Sequence, residues 1–335
     1  MGIEEKLVRK RLEILLGDAD LVESYLRDHG AQLDMNKVNQ LKALRKKPLS
    51  GTTATAAGTA GENGPGGLSD PTYTLQVKCP VCLTPEITCH ELKSKSLAVT
   101  FDRFYTPRYS PVHGFKAVNY NLFSVTVCPK CLFASPDKKD FITWSLQTKS
   151  DVKSQLGPFV LEELKKRFAE RKAALPGITD YARHFAHPRT PAAGVDSYRL
   201  AILRALAETT LDVPLSFYKA AMYKLKIAAF LREAGKDDEA EVLAALPLLV
   251  KAFGRNESQN PDFEYQLLHI LVAAHIRVKN YEGAQSFLGV LERLKTERLK
   301  AAAEDPGVKV GAVEKWLDNT KELWTDREDP DLWKH

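Results

Sequence analysis

Apolar residues recur at helical spacing towards both ends of the chain, and cluster at strand spacing only in a stretch between them. Near the amino terminus Leu7, Val8, Leu12, Leu15 and Leu16 fall close to one helical face, with Gly17 as a stop. Asp20 offers a cap for a second short helix over 21–27, and Asp34 for a third bearing Met35, Val38, Leu41 and Leu44. The pattern predicts a helical lead over 1–47, either a local mini-bundle or an arm that docks on a partner. Residues 48–70 then carry Gly, Ala, Thr and Ser, with Leu49 and Leu68 as the bulky apolar residues, which is the composition of a flexible linker. Without a preceding strand or a closing Gly-Lys-Ser/Thr, its glycines do not read as a phosphate loop.

From Tyr73 to Trp144 β-branched and aromatic residues gather in runs, and strands are expected over 73–77, 97–101 and 122–127. Helical spacing returns over 158–174, and again beyond a Pro-rich connection, in a helix with Asp196 as its expected cap and Leu200, Ile202, Leu203 and Leu206 on its apolar face. Two later units echo each other. Ile227, Ala228 and Leu231 precede Gly235-Lys236-Asp237 and Ala240, while Leu268, Leu271 and Val272 precede Lys279-Asn280-Tyr281 and Ala284. Both units resemble tetratricopeptide helix pairs, with a small Ala where helices approach. The two alanines lie 44 residues apart, against about 34 in that repeat, so a generic helical bundle stands as the alternative. Val313, Trp316, Leu317, Thr320, Leu323 and Trp324 predict a last helix that caps the array or docks another protein; Trp333 lies in a tail with little else to pack.

The expected fold class is therefore α+β: a small β-rich domain over 71–150 and an all-α array over 151–335. Length and ordinary composition, 44% hydrophobic and 27% charged, agree with two compact domains. A formal net charge of +5 permits a polyanionic partner without requiring one. Charges interrupt the first apolar run, and no segment nears the roughly 20 apolar residues of a membrane span. A cytoplasmic protein with no membrane association is expected.

Cysteine placement adds the chemistry. Cys79-Pro80-Val81-Cys82 and Cys128-Pro129-Lys130-Cys131 supply four thiols in two tight turns. In a reducing compartment this points to a metal rather than a disulfide framework. One structural zinc ion is the expected cofactor. The 45 residues between Cys82 and Cys128 imply a zinc-ribbon-like domain with an enlarged β insertion. Iron in a rubredoxin-like redox site is an alternative ligand, and thioredoxin-type dithiol chemistry another. Cys89 and His90 read as strand residues rather than ligands, and His184 and His187 as loop residues.

The insertion interleaves aromatic and basic side chains, among them Arg103, Tyr105, Arg108, Tyr109 and Lys116. These five are the candidate nucleic-acid contacts, through base stacking and phosphate neutralisation, unless the aromatics simply build the core. No Gly-x-Ser-x-Gly, HExxH or Walker lysine is present, so no catalytic residue is expected and the reading is non-enzymatic. A protein partner on the helical array is the leading expectation, and nucleic acid on the insertion the alternative.

VKCPVC, FDRFYTPRYS and NYNLFSVTVCPKCLFAS, followed by tetratricopeptide-like helices, resemble the uncharacterised bacterial family known as domain of unknown function 2225. The resemblance spans roughly Tyr73 to Leu294, and Phe133-Ala134 after the second pair contributes to it. It implies that Cys79, Cys82, Cys128 and Cys131 are shared metal-binding positions, and it implies no reaction. Similar sequences usually carry Gly after each second cysteine, where φ is positive. Leu83 and Leu132 stand there in this chain, which calls the ideal knuckle geometry into question without removing a ligand.

Overall fold

The computed structural model describes residues 68–333 apart from 256, 257, 259, 306 and 330. The expected helical lead and most of the expected linker lie outside the described residues.

The class is α+β. Among the described residues four antiparallel hairpins come first. Strands β1 (Thr72–Val77) and β2 (Ile87–Leu92) pair from Thr72 opposite Leu92 to Val77 opposite Ile87. Strands β3 (Leu97–Phe101) and β4 (Pro107–Pro111) form the insertion hairpin. Strands β5 (Thr126–Val127) and β6 (Ala134–Ser135) make the third, and β7 (Thr143–Ser145) and β8 (Ser150–Val152) the fourth.

The strand expected over 122–127 is reduced to Thr126 and Val127. A 3-10 turn occupies Tyr120–Leu122, where the Asn119 side chain accepts from the Asn121 N–H. Ser124 Oγ lies 2.9 Å from Tyr198 Oη. Short polar side chains here offer the backbone partners that compete with a ladder.

Helices follow: α1 (Pro158–Lys166), α2 (Phe168–Ala173), α3 (Tyr181–His184), α4 (Pro191–Thr209), α5 (Ser216–Glu233), α6 (Glu239–Arg255), α7 (Pro261–Arg277), α8 (Tyr281–Glu304) and α9 (Gly311–Thr325). The single helix expected over 158–174 is broken at Arg167, whose φ of −91° and ψ of 22° leave the helical region. No apolar stripe bridges the break, since α1 buries Val160 and Leu164 whereas α2 buries Arg171. The helix expected to be capped by Asp196 starts earlier, at Pro191. Thr190 Oγ1 accepts from the Ala193 N–H and proline fills the first turn, where its missing donor costs nothing. Asp196 sits inside the helix and pairs with Arg199. Gly194 lets α4 touch the turn before β5, because a Cβ there would lie 2.9 Å from Leu122 Cδ2.

Helices α4 to α9 form the helical array. Helix α7 is its centre, and residues from Leu267 through Ala274 and Ile276 are buried on every side, as expected of a helix enclosed by neighbours. Helix α9 lays Val313, Trp316, Leu317, Thr320 and Leu323 against that core. The expected equivalence of Ala240 and Ala284 fails. Ala284 is fully buried, but Ala240 is exposed, and Asp238 takes the enclosed place at the turn from α5 to α6, salt-bridged to Arg232 and Arg277.

Apolar clusters join the β-rich stretch to the helices. Phe104 of the insertion belongs to the core of α5 to α9. Val77, Cys79, Cys128 and Phe133 pack with Val160, Leu164 and Ala207. Val125, Val127, Leu132 and Ala134 pack with Tyr198, Leu200, Ile227 and Phe230. Trp333, expected to have little to pack on, stacks on Phe104 with ring centroids 5.0 Å apart, and the Arg277 guanidinium lies over the Trp333 ring, 6.0 Å from its centroid.

Candidate metal centre

Each CxxC closes a hairpin, the first between β1 and β2 and the second between β5 and β6. In the first turn the Cys79 N–H donates to Thr84 O at 2.9 Å, and the Leu83 N–H to Cys79 O at 3.0 Å. In the second the Cys128 N–H donates to Phe133 O and the Leu132 N–H to Cys128 O, both at 2.8 Å. Pro80 and Pro129 set φ for the start of each turn. Leu83 and Leu132 both take φ of 60°, the value glycine would adopt without strain. The knuckle geometry therefore forms with leucine, at a cost of roughly 1–2 kcal/mol for each left-handed residue.

The hairpins bring the four sulfurs together. Cys79 Sγ lies 3.5 Å from Cys131 Sγ, and Cys82 Sγ 3.5 Å from Cys128 Sγ. All four lie within 4.8 Å of one another. None is in a disulfide. Thiolates about 2.3 Å from a tetrahedral ion stand about 3.8 Å apart, so this donor set fits one four-coordinate metal ion.

The thiols are not alike, for Cys128 is held low whereas Cys79 and Cys131 are pushed up. Hydrogen bonds from the Cys131 and Cys79 thiols, and then from the backbone N–H groups of Cys131 and Lys130, hold the Cys128 thiol well below its usual range. Cys131 is pushed up because its own proton is held by Cys128 and Cys79. Backbone donors aimed at sulfur are what a metal-bound thiolate needs to satisfy its remaining lone pairs.

Cys89 stands apart. It is buried in β2 opposite Leu75, and burial pushes its thiol up. The His90 ring packs between Phe123 and His187, and burial lowers its pKa to about 4. His184 Nε2 lies 3.0 Å from Asp196 Oδ2.

Sequence reasoning missed the polar support behind the second hairpin. Asp140, just after β6, pairs with Arg204 of α4 at 2.8 Å and accepts from Ser135 Oγ; Arg204 also pairs with Glu208 at 2.7 Å. These four side chains are almost fully buried. Charged residues in helical sequence usually mark a solvated face, so their inward direction had no local signal.

The aromatic and basic insertion does not present one continuous surface. Arg103, Tyr105 and Arg108 line a cleft of about 470 Å³ together with Glu322, Asp326, Asp329 and Asp331. Tyr105 stacks on Phe101 at 4.8 Å and touches Trp316. Arg103 lies 3.9 Å from Glu322. Tyr109 and Arg108 face a neighbouring cleft that includes Glu233, and Lys116 is exposed apart from both. The tip is anchored: Asp102 accepts from Arg232 at 2.9 Å, and the Arg232 guanidinium lies 4.8 Å from the Phe104 ring centroid.

No helix among the described residues is long and apolar enough to cross a membrane. The family model described as an uncharacterized protein conserved in bacteria, DUF2225, matches residues 72–307, and the chain belongs to that family. No curated protein and no solved structure matches the chain.

Proposed function

We propose that this member of the DUF2225 family is a non-enzymatic cytoplasmic scaffold, in which one structural zinc ion staples two hairpins to a tetratricopeptide-like helical array that binds a protein. The observation that carries the reading is the convergence of Cys79, Cys82, Cys128 and Cys131 at the ends of hairpins whose cores are shared with α1, α4 and α5. Four thiolates saturate a tetrahedral ion and leave no place for water, which suits a structural role. Such a site contributes folding free energy outright.

The partner surface is drawn on α6. Leu243 and Val250 are about half exposed, and with Pro247 between them they share one helical stripe. Nucleic acid is disfavoured because Arg103 and Arg108 of the insertion face carboxylates, which oppose phosphate.

Metal analysis of protein purified without added metal tests the staple. One zinc per chain in a colourless preparation is expected; iron in a red preparation would replace the scaffold reading with a redox one. Leu243→Asp with Val250→Asp should abolish capture of a protein that the unchanged chain retains, with the helical circular dichroism unaltered. A salt-sensitive gel shift with DNA or RNA would reverse the choice of partner.

A further inference from the structure

Arg171 of α2 is 2% exposed, an expensive place for a guanidinium without a counter-charge. Its Nε donates to the carbonyl of Cys131 at 2.9 Å, and its Nη1 donates to Leu164 O, near the carboxy-terminal end of α1, at 2.8 Å. Its Nη2 is buried with no hydrogen-bond partner among the described residues. The buried Arg204 has Asp140 and Glu208, and the half-buried Arg232 has Asp102 and Asp238; the buried Arg189, away from the sulfur cluster, donates to the carbonyls of Phe185 and Val125.

Four thiolates around a divalent ion carry an excess of two negative charges, and here they are largely buried. A buried anion and a buried cation that each lack another partner compensate one another. We propose that Arg171 is the counter-charge of the four-cysteine metal centre, a positioning residue that raises metal affinity through its charge as well as through its bond to Cys131. This rests on the metal reading above.

The rival role is purely mechanical: Arg171 ties the second knuckle to the end of α1, and its charge is incidental. Arg171→Lys keeps the charge and loses the planar fork, whereas Arg171→Met loses both at similar length. Affinity is read by competition with a chromophoric chelator, and helical content by circular dichroism. Loss of a partner that supports metal ligands typically weakens binding about 10–100-fold. Arg171→Met should fall in that range, while Arg171→Lys should stay within about threefold of the unchanged chain, well below that range.

Equal losses in the two variants would assign a mechanical role and overturn the proposal, as would a methionine variant that binds like the unchanged chain. An unchanged chain that binds no metal would instead remove the metal reading itself. If neither variant folds, the test moves to the guanidinium Nε–H resonances of the unchanged protein before and after metal removal. Arg171 should shift while Arg189, which also donates to backbone carbonyls, stays fixed. No change at Arg171, or equal change at both, would refute the charge role.

Discussion

The two knuckles share a backbone and differ in what surrounds it. Both run Cys-Pro-x-Cys-Leu, both place leucine at φ of 60°, and both close with the same pair of backbone hydrogen bonds. The first sits at the rim: Leu83 is 58% exposed and Cys82 is half-buried. The second sits in the joint: Leu132 is fully buried among Tyr198, Leu200 and Ile227, and Arg171 and the Asp140–Arg204 pair lie behind it. Metal chemistry needs both alike; in packing, the first reaches the helices through Val77 and Cys79 against Val160, Leu164 and Ala207, whereas the second also buries its leucine among Tyr198, Leu200 and Ile227.

The comparison is broken or sharpened most strongly at the ligands. Cys128→Ser should lose the metal and much of the folding of the hairpins, because zinc in small domains supplies on the order of 10 kcal/mol. Cys82→Ser, with water able to reach the site, should retain metal more weakly. Elemental analysis after dialysis against chelator separates the two, and equal retention would erase the distinction between rim and joint.

Charge comes next. Asp140→Asn leaves Arg204 with Glu208 as its remaining carboxylate and should cost about 1.5–3 kcal/mol in urea unfolding. Glu91→Gln removes the partner of Lys138 near the first hairpin, a partly exposed pair at 2.6 Å, and should cost less than about 1 kcal/mol.

The same substitution at equivalent positions should then have opposite signs. Leu132→Gly relieves a left-handed residue but empties a filled site, so a net loss of about 2–4 kcal/mol is expected. Leu83→Gly relieves the same strain with little buried surface to lose. After the added freedom of glycine in the unfolded chain, a gain of up to about 1 kcal/mol remains. Chemical denaturation of both metal-loaded variants measures the difference, and a loss at Leu83 as large as that at Leu132 would show that leucine serves the knuckle itself.

The cysteines were legible in sequence because two ligands three positions apart on one turn are a local requirement of a metal centre, and sequence records local requirements directly. The change from strand-like to helical texture was legible for the same reason, as were β1, β3 and α9. Where an element depended on competition between local partners, as at Asn119 to Ser124 or at the true cap Thr190, spacing alone misplaced its limits.

Sequence by itself thus determined the four cysteines that cluster, the order of hairpins before helices among the described residues and the amphipathic face of α9. Only the tertiary structure decided which leucine of two alike knuckles is buried, that Arg171 turns inward to the carbonyl of Cys131, that Asp238 rather than Ala240 fills the turn between α5 and α6, and that Trp333 closes over Phe104. Each of these depends on partners far along the chain, such as Arg232 reaching Asp102. A side chain's own neighbours in sequence do not specify whether a charge will find its counter-charge in the interior or in water.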